Sequence, residues 1–145
     1  MELADAIRKA KRVYLIGNGG SYANAVHICN DLLACGVKAY TLDPATLTAS
    51  ANDYGYDTVF VRWIATVGDP ADLLIALSGS GRSSNIVKAV RQAKHIGMAT
   101  WALVGQEYGA GEIADKMMLC GTDMQSAEEH QLRIGHEVMR CLKSS

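Results

Sequence analysis

The sequence predicts a three-layer α/β protein in which a five-stranded parallel sheet is covered by helices on both faces. Two observations carry this expectation. Short apolar runs at Val13-Tyr14-Leu15-Ile16 and Leu73-Leu74-Ile75-Ala76-Leu77 read as buried strands. Each is followed by a turn of small residues and then by apolar residues at helical spacing, so strand, loop and helix recur in that order.

Leu3, Ile7 and Ala10, with Lys and Arg between them, predict a short amphipathic helix ahead of the first strand. Strand Val13–Ile16 stops at Gly17-Asn18-Gly19-Gly20-Ser21. Ala23, Ala25, Val26, Cys29, Leu32 and Leu33 then supply the apolar face of a helix ending at Gly36. A second strand is expected at Lys38–Leu42, with helical segments near Ala45–Ala51 and Asp57–Thr66. Strand Asp72–Leu77 leads into Ser78-Gly79-Ser80-Gly81-Arg82-Ser83-Ser84 and a helix over Asn85–Ile96, where Ile86, Val87, Val90 and Ala93 share a face. Ala99–Val104 and Lys116–Cys120 complete the strands, with a helical turn at Glu112–Asp115 between them. The last helix is read as Ser126–Leu142, with Ser126 as N-cap and Glu129 completing a capping box.

The 145 residues suffice for one domain with a full core and are too few for two, so residues 1–145 are expected to form one unit. Lys and Arg (14) nearly balance Asp and Glu (15), so no net field favours nucleic acid or an anionic membrane, and an anionic ligand must be held locally. The four cysteines lack CxxC spacing and disulfide-framework density, and no apolar stretch approaches a membrane span. These features predict a cytoplasmic chain with no membrane and no nucleic-acid partner.

In an open parallel sheet, ligands sit beyond the carboxyl ends of the strands, where both distinctive loops lie. The hydroxyls of Ser78, Ser80, Ser83 and Ser84, the loop N–H groups including that of Gly79, and the start of the next helix form a compact donor set for a phosphate monoester. The bland alternative is a set of serines that only cap that helix. Gly17-x-Gly19, with Asp43 after the second strand, also opens a dinucleotide fingerprint, but Tyr22 stands where its third glycine belongs. No nucleotide cofactor is expected, and a nicotinamide-binding fold stands as the structural runner-up.

Four segments in order resemble the SIS (sugar isomerase) domain family, and within it the bacterial phosphoheptose isomerases: Gly17-Asn18-Gly19-Gly20-Ser21 with His27 downstream, Asn52-Asp53-Tyr54-Gly55-Tyr56-Asp57, Leu77 through Asn85, and a terminal helix ending with His136. The resemblance implies a Rossmann-like, flavodoxin-like SIS fold. It also implies a phosphorylated sugar as ligand and conversion of sedoheptulose 7-phosphate to a heptose 7-phosphate through an enediol. By the same match the serine loop takes the phosphate, while Asn18, Gly19, Gly20, Ser21 and Asp53 touch the sugar. The implied assembly is a homo-oligomer, tetramer or dimer, in which the two catalytic helices meet across subunits.

Asp31 falls where the family has a catalytic glutamate and His136 on its catalytic histidine, and Glu128 replaces the family's glutamine at a substrate position. A carboxylate and an imidazole are what an enediol mechanism needs, which makes Asp31 the candidate base and His136 the candidate acid. His27 and Asp31, four apart, share one helix face, and Glu128 and His136, eight apart, share another. These four side chains are also a candidate zinc set. Against these readings stand plainer ones: His27 as a hydrogen-bonded structural histidine, His136 beside Gly135 as an interface residue, and Asp31 as a solvated carboxylate. His95 and His130 are assigned to surface or packing, and the methionines to core filling. Arg82 adds a charge to the serine loop, either for phosphate or facing solvent. The shorter Asp31 side chain leaves a second functional class open, a non-catalytic phosphosugar-binding module with a regulatory or protein-binding role.

Overall fold

The computed structural model describes residues 1–144. Five parallel strands, β1 (Val13–Ile16), β2 (Ala39–Thr41), β3 (Leu73–Ser78), β4 (Ala99–Val104) and β5 (Lys116–Leu119), form one sheet in the order β2-β1-β3-β4-β5. The register sets Val13 beside both Ala39 and Leu73, Leu73 beside Ala99, and Trp101 beside Lys116. The chain leaves β1 in one direction for β2 and returns on its other side for β3. The carboxyl ends of β1 and β3 therefore flank the point where a crevice opens in such sheets.

The three-layer architecture expected from the sequence is present. Helices α1 (Glu2–Lys9), α2 (Gly20–Ala34) and α7 (Met124–Lys143) cover one face, where Leu15, Leu32, Leu73, Ile75, Leu77, Ile134 and Val138 are buried together. Helices α3 (Pro44–Tyr54), α4 (Val59–Val67), α5 (Ser84–Ile96) and α6 (Ala110–Ile113) lie over the other, on Ile16, Phe60, Ile64, Leu74, Ile86, Val90 and Val104. A 3-10 turn, Tyr56–Thr58, joins α3 to α4. No helix among the described residues is long and apolar enough to cross a membrane.

Three expectations need correction. The last helix starts at Met124: Asp123 is its N-cap, accepting from the Ser126 N–H at 2.7 Å, and Ser126 is the reciprocal partner at the third position rather than the cap. The helical turn before β5 lies at Ala110–Ile113, not Glu112–Asp115. The buried face of α2 is Ser21, Ala25, Ile28, Cys29, Asp31 and Leu32, while Ala23, Val26 and Leu33 are exposed. Spacings of four, three and four along 21, 25, 28 and 32 define that stripe. Val26 and Leu33, seven apart, form a neighbouring apolar strip that the chain leaves uncovered.

Candidate functional site

The glycine loop after β1 and the serine loop after β3 lie side by side at the crevice between those strands. Gly17 is required by proximity, since a Cβ there would stand 2.6 Å from the Ser21 carbonyl carbon. Gly19 has φ +55° and ψ −121°, a conformation that side chains disfavour, and this lets the chain turn directly into α2.

In the serine loop the buried Ser78 Oγ accepts the Gly81 N–H at 3.0 Å, and Ser80 Oγ accepts the Arg82 N–H at 3.2 Å. These two serines brace the loop itself. Its carbonyls are drawn towards the segment after β4: Gly79 O accepts from Gly105 N, Gly81 O from Ala110 N, and Ser80 O from Gln106 Nε2 at 2.8 Å. With the oxygens engaged on that side, the cleft is lined by hydroxyls and lies at the start of α5, whose first-turn N–H groups favour an anion. Ser83 is the N-cap of α5 but makes no side-chain capping bond, so capping does not account for its hydroxyl. A cleft of about 60 Å³ is bounded by Asn18, Ser21, Leu77, Ser78, Gly79, Ser80, Ser83 and Met124. Met124, expected as core filling, is half exposed and covers Gly79 so closely that a Cβ there would stand 2.6 Å from its sulfur.

Two loops and two helices are tied together by side-chain amides. Asn18 and Asn85 exchange reciprocal hydrogen bonds at 2.9 Å, and Tyr56 Oη donates to Asn18 Oδ1 at 2.6 Å. Gln131 of α7, fully buried, accepts from Ser21 Oγ and Asn24 Nδ2 at 3.1 Å each and donates to the Leu103 carbonyl at 3.2 Å. Sequence reasoning missed Tyr56, Gln106 and Gln131. A signal for Gln131 exists, since it interrupts the otherwise apolar stripe Ala127, Ile134 and Val138.

Farther along α2 and α7, His27, Asp31 and His136 converge. The two Nε2 atoms are 3.2 Å apart, and Asp31 Oδ2 lies 3.4 Å from His27 Nε2 and 3.7 Å from that of His136. Gly135 permits this approach, as a Cβ there would stand 2.5 Å from Ile28 Cγ1. Asp31 Oδ2 is buried without a hydrogen-bond partner. Ligand atoms on a tetrahedral zinc at about 2.0–2.2 Å stand about 3.3–3.6 Å from one another, so two imidazoles and an orphaned carboxylate oxygen at these separations fit such an ion.

Glu128, expected as a fourth metal ligand, is not brought to the other three. It lies eight residues and about 12 Å along α7 from His136, and its carboxylate packs over Gly20, within 2.3 Å of where a Cβ would be. That position borders the glycine loop. Asp53 is exposed near the end of α3, accepting from Asn52 Nδ2 at 3.1 Å, and does not line the serine cleft. Asp43 caps α3 through Thr46 N and Oγ1 at 2.9 and 2.7 Å. Among the described residues the four cysteines form no disulfide, and burial raises the thiol pKa of Cys29 and of Cys120, the latter to about 11.

Residues 2–105 match the model of the SIS domain. A phosphoheptose isomerase from Akkermansia muciniphila is 37% identical over 92% of this chain and 76% of its own length. The chain belongs to the phosphoheptose isomerase family of SIS domains. The phosphoheptose isomerase structure from Francisella tularensis superposes with a TM-score of 0.88 at 27% identity, covering 99% of this chain and 84% of that one. The corresponding values for the Neisseria gonorrhoeae phosphoheptose isomerase are 0.83, 30%, 99% and 82%. Both superpositions take in 99% of the chain, and so the sheet and the helices that carry the two loops.

Proposed function

We propose that the chain is an aldose–ketose isomerase that converts sedoheptulose 7-phosphate to a heptose 7-phosphate through an enediol. The observation that carries this reading is the pairing, in one phosphoheptose isomerase fold, of a hydroxyl-lined cleft at a helix N-terminus with a convergent His27–Asp31–His136 group. The first suits a phosphate monoester and the second suits proton transfer.

The serine loop holds the phosphate, with Ser83 and the start of α5 as its main donors and Ser78, Gly79 and Ser80 shaping the cleft. Asn18, Gly19, Gly20, Ser21 and Glu128 border the sugar, whereas Asp53 is exposed on α3 and lines neither cavity beside Asn18. Asp31 takes the proton from the carbon next to the carbonyl to give the enediol, His136 passes a proton between the two sugar oxygens, and the Asp31 carboxyl returns its proton to the former carbonyl carbon, giving the aldose. His27 Nε2 stands beside that of His136, 3.4 Å from the same Asp31 oxygen, and adds a second imidazole to the group. Where zinc is bound by His27, Asp31 and His136, it supplies Lewis-acid polarisation of the sugar oxygens.

Asp31 lies ten residues, about 15 Å, along α2 from Ser21. That separation is close to the full reach of an extended seven-carbon phosphate ester and favours a site completed by a second copy of the chain, in a dimer or tetramer. Val26 and Leu33, 44% and 54% exposed beside His27, supply an apolar strip for the contact. The setting is cytoplasmic.

The test is turnover of sedoheptulose 7-phosphate with and without added zinc, followed by aldose formation. Mixing a Ser83→Ala chain with a His136→Gln chain gives, at low substrate concentration, more activity than the two show separately if copies share sites. Failure to complement, with both variants folded and oligomeric, rejects the shared site.

A further inference from the structure

We infer that Tyr56 and Asn85 are positioning residues that fix the Asn18 amide against the ligand, and so couple the glycine loop to the serine loop. This rests on the phosphosugar reading of the cleft.

Asn18 Oδ1 accepts from both Tyr56 Oη and Asn85 Nδ2, which fills its two lone pairs. Asn18 Nδ2 donates one hydrogen to Asn85 Oδ1, which leaves one N–H. Asn18 lines the 60 Å³ serine cleft and also a neighbouring cavity of about 240 Å³ that includes Tyr56, so this residue stands between the two. A donor fixed there meets an oxygen of a bound phosphosugar. An unrestrained amide would present its oxygen as readily as its nitrogen, and an oxygen facing a phosphate or hydroxyl-rich ligand loses the contact.

Two features hold the restraint in place. Asn85 is buried at the second position of α5, directly after the serine loop. The 3-10 turn that carries Tyr56 is pinned to the same helix, because Asp57 pairs with Lys88, one turn beyond Asn85. Movement of the serine loop on phosphate binding is therefore transmitted to Asn18, and the reverse.

The test is a double-mutant cycle on affinity, read by calorimetry with sedoheptulose 7-phosphate and with inorganic phosphate as probes. Tyr56→Phe removes one hydroxyl and should weaken sugar phosphate binding by about 5- to 10-fold, with a smaller effect on inorganic phosphate. In the Asn18→Ala background the same substitution should have no effect, since the group it orients is gone. Under turnover, Tyr56→Phe should raise KM more than it lowers kcat. Equal losses in both backgrounds, or no loss in the wild-type background, overturn the clamp while leaving the function intact. Wild-type protein that binds neither probe overturns the phosphosugar reading, and the clamp with it.

Discussion

Ser83 separates binding from folding more cleanly than its neighbours do. Ser78 and Ser80 spend their hydroxyls on the Gly81 and Arg82 N–H groups, whereas the Ser83 hydroxyl makes no capping bond. Ser83→Ala should therefore leave the melting temperature within a degree or so and raise KM for the sugar phosphate by roughly 10- to 100-fold, the worth of a hydrogen bond to a charged group. Ser78→Ala should lower both stability and affinity, because it also frees Gly81. Steady-state kinetics and thermal melts on the two variants check this contrast. Such a difference is not legible in the sequence, where the four serines look alike. The string itself, placed after an apolar strand, was enough to locate the loop.

At the scale of elements, the α2–α7 contact decides the geometry of His27, Asp31 and His136. Gly135→Ala gains about 1 kcal/mol of helix propensity, but its Cβ would meet Ile28 Cγ1 at 2.5 Å, close to the Ile28 backbone where little can yield. Overpacking of this kind costs about 1–3 kcal/mol. The net expectation is a modest loss of stability and, on the proposal that the trio takes zinc, a much larger loss of affinity for that ion, because the helices must separate just where the Nε2 atoms are 3.2 Å apart. Zinc titration beside a denaturant melt measures both; unchanged zinc affinity would show that the helix spacing does not set the trio. The i, i+4 spacing of His27 and Asp31 made their pairing readable, and Gly135 signalled the close approach. The rotation of α2 was misread because Val26 and Leu33 are apolar yet outward, and Glu128 was misplaced because a shared helix face does not imply a shared height. Tyr56 and Gln106 act through contacts between distant segments, which periodicity does not encode, whereas Gln131 left a trace as the polar break in the buried stripe of α7.

For the molecule as a whole, the order β2-β1-β3-β4-β5 matters most, since it sets the two loops together. Alternation of apolar runs and helical stretches made the parallel sheet accessible, while its strand order and the side-chain bonds between loops had to be seen. Stability against acid reflects carboxylates of opposite behaviour. Asp43, held by Thr46, and Asp123, held by Ser126, have lowered pKa values, so the stability they add is present above the ordinary carboxyl range and is lost as pH falls through their folded values. Asp72 is different. Burial raises its pKa, and its Oδ1 has no partner while Oδ2 accepts from Asp69 N at 3.0 Å. Its charge weakens the fold above its raised folded pKa, and that penalty vanishes below the ordinary value near about 4. Asp72→Asn should stabilise the protein by on the order of 1 kcal/mol at neutral pH. The gain should shrink as pH falls through that interval, as chemical denaturation at several pH values would show. A gain that is constant with pH would contradict the origin of the effect.

The central claim joins phosphate anchoring to proton transfer at a carbon, and solvent-isotope incorporation reads both. Sedoheptulose 7-phosphate incubated with the protein in deuterated water and followed by NMR should yield a heptose 7-phosphate carrying deuterium at the carbon beside the new aldehyde. Ser83→Ala should slow this at low substrate concentration, and His136→Gln at all concentrations. Bound sugar phosphate with neither aldose nor deuterium incorporation, with zinc present and absent, would contradict the account.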